Sequence, residues 1–262
     1  MAIVTTPGIL LRSMDYRETS RIFRFYTLDH GLVSLIAKGI KRKRRSGSEG
    51  LESFSRGEVI FFHKKRGDLH HLKEFTLRKS GRSLGTDIFR FTAASVLGEI
   101  MLVQGTSERN PDVFSRLDIG LSRIEEVPDR LIVPTLLGEA WSLVATLGYC
   151  PEISRCIQCG ADVVEDNGVG KFDLEAGGIL CSVCGLHRIG PRIGPLARCQ
   201  LIEFLNPEGE RKLVRGCRAH VLLLRDFISW HVVEKGMLNS FNFLISLLES
   251  DFQGVLSHQE LL

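Results

Sequence analysis

Apolar residues in the first third of the chain fall in short runs. Gly8 to Tyr16, Ser20 to Leu28 and Leu32 to Lys38 are each rich in Ile, Leu, Val and Phe. Arg21-Ile22-Phe23-Arg24-Phe25 partly alternates, as a half-buried strand does. Asp29-His30-Gly31, between the second and third runs, is a short hairpin signal. After a polar stretch from Lys41 to Ser55, Glu58 to His63 and His70 to Leu77 read as a second hairpin around Arg66-Gly67-Asp68. Five strands with no helix signal beyond a short turn predict a small barrel, and the OB-fold is the usual five-stranded one.

From residue 84 the period lengthens. Phe91 to Gln104 has helical composition with Gly105 as its stop, and Asn110-Pro111-Asp112 caps a helix reaching about Ile124. Asp129 is the expected cap of a further helix to Leu147, with Gly148 at its C-terminal end. Leu136, Leu137, Ala140, Trp141, Val144 and Leu147 have helical spacing there. Residues 150–190 change character: glycines cluster and four cysteines come in two pairs. Helix returns over 194–249, most clearly at Arg218 to Glu234 and Asn239 to Leu248. The predicted class is α+β: an OB barrel (1–82), a helical domain (83–149 and 190–250), a zinc-binding insertion (150–189) and a flexible tail (251–262).

Composition supports a folded chain. The 262 residues are 44% hydrophobic and 25% charged, which excludes wholesale disorder and leaves room for a core. No apolar run approaches the ~18–20 residues that cross a bilayer. Met1 to Pro7 lacks a basic segment before an apolar one, so no signal peptide is expected and the cytosol is the expected location. Seven cysteines, an odd number, and a reducing cytosol argue against a disulfide framework. The net charge of +3 hides an asymmetry: +10 over residues 1–82, −4 over 83–150 and −3 over 151–262. The N-terminal part is therefore the one suited to a polyanion.

The sharpest motif is Cys156-Ile157-Gln158-Cys159 with Cys181-Ser182-Val183-Cys184. Two thiols at this spacing reach one ion from a tight turn, and two such turns complete a tetrahedral four-cysteine zinc site. Gly160 and Gly185 follow the second cysteine of each pair and let the chain bend there. Four thiolates leave no open position, so the expected zinc is structural. His187 is read as a bystander, and Cys150, Cys199 and Cys217 as small buried hydrophobes.

Lys38, Lys41, Arg42, Lys43, Arg44 and Arg45 form a cationic run, joined by Lys64-Lys65-Arg66 and by Arg78-Lys79. Loops at strand ends converge in such barrels, so these groups are expected to form one phosphate track. Phe23, Phe25, Tyr26, Phe61, Phe62 and Phe75 lie on predicted strands; most are core, and one or two are candidates for stacking on bases. His70-His71 is expected at the surface. Arg192, Arg198, Arg211, Lys212, Arg215, Arg218 and Arg225 make a looser series, expected on solvated helix faces except for Arg225, which interrupts an apolar run and is expected to pair with Asp226 or face a groove. Motifs for nucleotide hydrolysis, dinucleotide binding, serine hydrolysis and zinc proteolysis are absent.

Three stretches carry a family likeness: Gly8-Ile9-Leu10-Leu11 to Gly39, with Tyr16 and Glu18; Leu147-Gly148-Tyr149-Cys150-Pro151 before Cys156; and Phe172 with Gly177-Gly178-Ile179-Leu180-Cys181. In this order the chain resembles the bacterial RecO family of recombination-repair proteins. The resemblance implies a non-enzymatic mediator that binds single- and double-stranded DNA and anneals complementary strands. It further implies that, with RecR, the protein helps RecA replace single-stranded DNA-binding protein (SSB), and that it binds the acidic, apolar-ended SSB tail. Arg218 and Arg225 beside Val221, Leu222, Leu224 and Ile228 are candidates for that tail. An RNA-directed OB and zinc-ribbon factor in ribosome or tRNA metabolism is the alternative, with a zinc enzyme behind it.

Overall fold

A computed structural model describes residues 2–40, 51–64, 67–232 and 238–259. The chain divides into two compact units, Met1–Glu126 and Val127–Leu262.

In the first unit, strands β1 (Ala2–Tyr16), β2 (Ser20–Thr27), β3 (Gly31–Ala37), β4 (Arg56–His63) and β5 (Leu69–Lys79) close a barrel in the order β1-β2-β3-β5-β4. β1 is long enough to pair twice, with β4 through Ala2 to Ile9 and with β2 through Gly8 to Tyr16. It therefore begins earlier than its apolar run suggested, because Ala2 to Pro7 is an edge of mixed character that only β4 makes into a strand. β3 and β5 run parallel, and the other ladders are antiparallel. Inward residues at period two, Leu10, Phe23, Phe25, Val33, Leu35, Val59, Phe61 and Phe75, fill the interior with Leu51. Gly31 closes the β2–β3 hairpin at φ 53°, and a Cβ there would meet Thr106 O at 2.2 Å. Both the turn and the close approach of the 105–108 loop need glycine.

Helices α1 (Ile88–Gln104) and α2 (Pro111–Glu126) belong to the same unit. Asp87 caps α1 by accepting the Arg90 N–H at 2.8 Å, and Asn110 caps α2 by accepting the Val113 N–H at 3.1 Å. Leu32 N–H donates to Thr106 O, and the Tyr26 ring stacks near Phe114. The buried Arg56 donates to Ser122 and pairs with Asp118 and Glu125. The change from strand to helix at 82/83 is thus not the boundary of the compact unit.

In the second unit Asp129 does not cap α3 (Ile132–Thr146). It opens a short 3-10 turn, Asp129–Leu131, and the cap residue is Leu131 with no side-chain bond. α3 is buried nearly all round, since Leu136, Leu137, Ala140, Trp141 and Val144 are core. Strands β6 (Gly170–Asp173), β7 (Gly178–Leu180) and β8 (Arg192–Ile193) form a small sheet in the order β7-β6-β8. Helices α4 (Pro195–Leu205), α5 (Cys217–His231) and α6 (Asn239–Gln259) follow. Most of the expected tail continues α6; Phe252, Val255 and Leu256 keep a helical spacing in the sequence.

Candidate metal centre and nucleic-acid interface

The two C-x-x-C turns bring four sulfurs together. The Sγ atoms of Cys156, Cys159, Cys181 and Cys184 all lie within 4.8 Å of one another, and Cys159 and Cys181 are 3.9 Å apart. Sulfurs bound tetrahedrally at about 2.3 Å from one ion sit roughly 3.8 Å apart, so the cage fits a metal. The turns are tight because Gly160 N–H donates to Cys156 O and Gly185 N–H to Cys181 O, both at 2.8 Å. The N–H groups aimed at sulfur come from elsewhere: Cys181 N–H donates to Cys156 Sγ at 3.3 Å, and Cys184 N–H to Cys181 Sγ at 3.4 Å.

Those donors set the electrostatics. Burial opposes the Cys156 thiolate, but N–H groups of Cys181, Cys159 and Gln158 outweigh it and bring its pKa down to about 6. Thiol hydrogen bonds with Cys181 and Cys159 push Cys184 up to about 12. Four sulfurs this close cannot all carry charge alone, and a divalent cation resolves the conflict. His187 is exposed and outside the cluster.

A second set of bonds fixes the cage. Asp166 accepts from Ser182 N–H at 2.7 Å and from Gly168 N–H at 2.8 Å, which holds its carboxyl below the usual range. The buried Arg198 on α4 donates to the carbonyls of Asp166, Gly168 and Ile193. Phe172 on β6 packs edge-on against Phe227 of α5, and His231 bonds to Leu174 O. Arg198 was expected on a solvated face. Its two terminal nitrogens instead satisfy these backbone carbonyls, while its Nε is buried with no hydrogen-bond partner among the described residues. Arg211 is half-buried, with a side chain only 9% exposed and its guanidinium 3.3 Å from the fully buried Glu139. Cys150 and Cys199 are exposed and Cys217 half-buried, against the expectation of burial; Cys199 faces outward on α4 beside the buried Arg198 and Gln200.

On the barrel, Lys38 is exposed just past β3 and Lys64 half-buried just past β4. Both lie close enough to His71 to lower its pKa, after the effect of burial. Lys41, Arg42, Lys43, Arg44, Arg45, Lys65 and Arg66 lie outside the described residues. Arg78 and Lys79 stand at the far end of β5, roughly 30 Å of strand from its start. There Arg78 pairs with Glu58 at 3.6 Å and Lys79 with Glu125 at 2.8 Å. Phe23, Phe25, Tyr26, Phe61 and Phe75 are all buried, and only Phe62 of the six aromatics is half-exposed. His70 is 8% exposed and belongs to a cluster with His30 and His63. The doublet pattern gave no hint of it, because His30 and His63 come from other strand ends.

Arg218 pairs with Glu249 at 2.5 Å and Arg225 with Asp226 at 2.6 Å. Val221, Leu224 and Ile228 are core. An open groove of about 330 Å³ lies instead between α4 and the start of α5, with Leu196, Ala197, Ala219 and Leu223 as its floor and Arg192 and Arg215 at its edge.

A closed five-stranded barrel, helices and a four-cysteine cluster able to hold a metal ion define an OB-type barrel protein with a cysteine-rich segment between its helices. Comparison with known proteins agrees. Residues 1–80 match the family model "Recombination protein O N terminal" and residues 85–235 match "Recombination protein O C terminal". The chain is 33% identical to the DNA repair protein RecO of Rubrobacter xylanophilus over 85% of its own length and 92% of the relative's. It is 29% identical to that of Desulfatibacillum aliphaticivorans over 96% and 100%, respectively. The chain belongs to the RecO family, whose role is in DNA repair and recombination, and this membership displaces the RNA-directed alternative. No helix among the described residues is long and apolar enough to cross a membrane.

Proposed function

We propose that the protein is a non-catalytic, cytoplasmic, nucleoid-associated mediator of recombinational repair. It binds single- and double-stranded DNA through the barrel and anneals complementary strands. With RecR it assists RecA in displacing SSB. The observation that carries this reading is the family match across both parts of a chain whose first 82 residues hold a balance of +10. Lys38 and Lys64, with Lys41 to Arg45, Lys65 and Arg66, are the main phosphate contacts, and Arg78 and Lys79 extend them. The cage takes one zinc, which crosslinks residues 150–193 and leaves no position for a reacting water.

The SSB tail ends in apolar residues behind acidic ones, and such a segment needs a hydrophobic floor with cations beside it. The groove edged by Arg192 and Arg215 offers both, and Arg218 stands two residues beyond Gly216 at its rim. Arg225, held by Asp226, is the weaker candidate. The test is annealing of complementary strands coated with intact SSB or with SSB lacking its last residues. Fast annealing with intact SSB and slow annealing with the truncated form is expected. No acceleration with either form would overturn the reading.

A further inference from the structure

The barrel needs a surface for bases as well as phosphates if it is to hold single strands, yet nearly all its Phe and Tyr rings are interior. Phe62 is half-exposed and Tyr16 exposed, but the rings gathered around one cavity are imidazoles. His30 comes from the β2–β3 turn, His63 from the end of β4 and His70 from the start of β5. The His63 and His70 ring centres are 4.6 Å apart, and those of His30 and His63 are 6.0 Å apart. All three surround Phe61, which closes the core beneath them. They line a cavity of about 360 Å³ together with Arg24, Ser34 and Asp68. Arg24 Nε is buried there without a hydrogen-bond partner.

The chemistry of this lining selects among ligands. A bare phosphate would want donors alone, and the Asp68 carboxylate opposes it. A metal is disfavoured because His70 Nδ1 already accepts the Lys64 N–H at 3.2 Å, and the cysteine cage is the one metal-ligating cluster among the described residues. That same bond leaves the His70 proton on Nε2, so the cavity offers donors at Arg24 and His70 and acceptors at Asp68 and Ser34. Burial, then His63 and Lys64, lower the His70 pKa, which keeps that ring neutral near pH 7. A mixture of donors and acceptors beside flat rings matches the edge and face of a nucleobase. The volume lies at the small end of ligand pockets, enough for one such group.

We infer that His30, His63 and His70, with Arg24 and Asp68, form a one-base pocket at the mouth of the barrel, which receives an unstacked base from single-stranded DNA. The inference rests on the barrel being the DNA surface. Lys38 and Lys64 next to it hold the neighbouring phosphates. A paired base in duplex cannot enter, so the pocket separates the two forms of DNA where the lysines do not.

The experiment compares the full-length protein with His63→Ala, His63→Leu and His63→Phe on oligothymidylate and on duplex of equal length, across a salt series. Losing one base–ring stack weakens binding by about ten-fold. His63→Ala and His63→Leu should lose that on single strands, with the salt slope unchanged and duplex affinity unaffected, and His63→Phe should restore it. If the alanine variant does not fold, the leucine and phenylalanine pair carries the same comparison. Equal losses on both forms with a shallower slope would make the pocket a phosphate site and overturn the inference. So would parent-like binding by every variant. Failure of the parent protein to bind either form would instead remove the DNA reading itself.

Discussion

Cations do opposite work in the two compact units. In Val127–Leu262, Arg198 is 1% exposed and turns its terminal nitrogens to three backbone carbonyls, and Arg211 lies against Glu139. In the barrel, Lys38 stands in solvent beside a cationic run that continues to Arg45. Histidines divide in the same way. His220 is buried and bonded to Gln200 at 2.9 Å, whereas His30 and His63 face an open cavity. The difference is one of desolvation. A charge inside the fold is tolerated when backbone carbonyls or a carboxylate answer its terminal donors, and it then serves folding. A charge left in water costs the fold little and remains available to a polyanion.

The largest effect that would sharpen this contrast is in the metal cage. Loss of zinc should remove most of the stability of residues 150–193, since binding energies of about 10–16 kcal/mol are folding energy in such sites. Cys181→Ser should abolish zinc binding, seen by metal analysis, and raise amide exchange across β6 and β7 while the barrel amides stay protected. A parent protein with no zinc after chelator-free purification would break the assignment.

Next is Glu139→Ala. It leaves the Arg211 guanidinium with the Glu203 carbonyl but no carboxylate, and removing one partner of a buried pair costs about 3–5 kcal/mol. Chemical denaturation measures it. A loss below about 1 kcal/mol would place Arg211 among the solvated cations after all.

His220 should make the second unit acid-sensitive. Burial holds its pKa at about 4, against an ordinary value of 6.5. Between those values the unfolded chain binds a proton that the folded one refuses, so stability falls as pH drops from about 6.5 to 4. At about 1.4 kcal/mol per unit, the loss is about 3 kcal/mol. Urea midpoints at pH 7 and pH 4.5 test it, with His220→Gln expected to flatten the difference.

Much of this was legible in the chain. Period-two runs located all five barrel strands, and the two cysteine pairs named the cage. What pattern alone misread was burial of polar residues. Arg198 and Arg211 look like helix-surface cations because the loop carbonyls and the carboxylate that neutralise them, at Asp166, Gly168 and Glu139, are distant in sequence. His70 looked exposed for the same reason: its companions arrive from the β2–β3 turn and the end of β4, and only closure of the barrel brings them together.

The smallest effect tests the boundary between the two kinds of cation. Arg218 has a partner, Glu249, yet both side chains are 51% exposed. By the desolvation argument such a pair is solvated twice over, and exposed pairs contribute only about 0–1 kcal/mol. Arg218→Ala should therefore shift the unfolding free energy by less than about 1 kcal/mol, and high salt should erase even that. Its effect on binding an acidic, apolar-ended peptide should be equally slight beside that of Arg192→Glu with Arg215→Glu, because Glu249 already answers much of its charge. Fluorescence anisotropy with the peptide reads both. If Arg218→Ala alone removed peptide binding while leaving stability untouched, an ion pair would have to be counted among the available cations. The division would then lie at exposure alone, not at whether a cation has a partner.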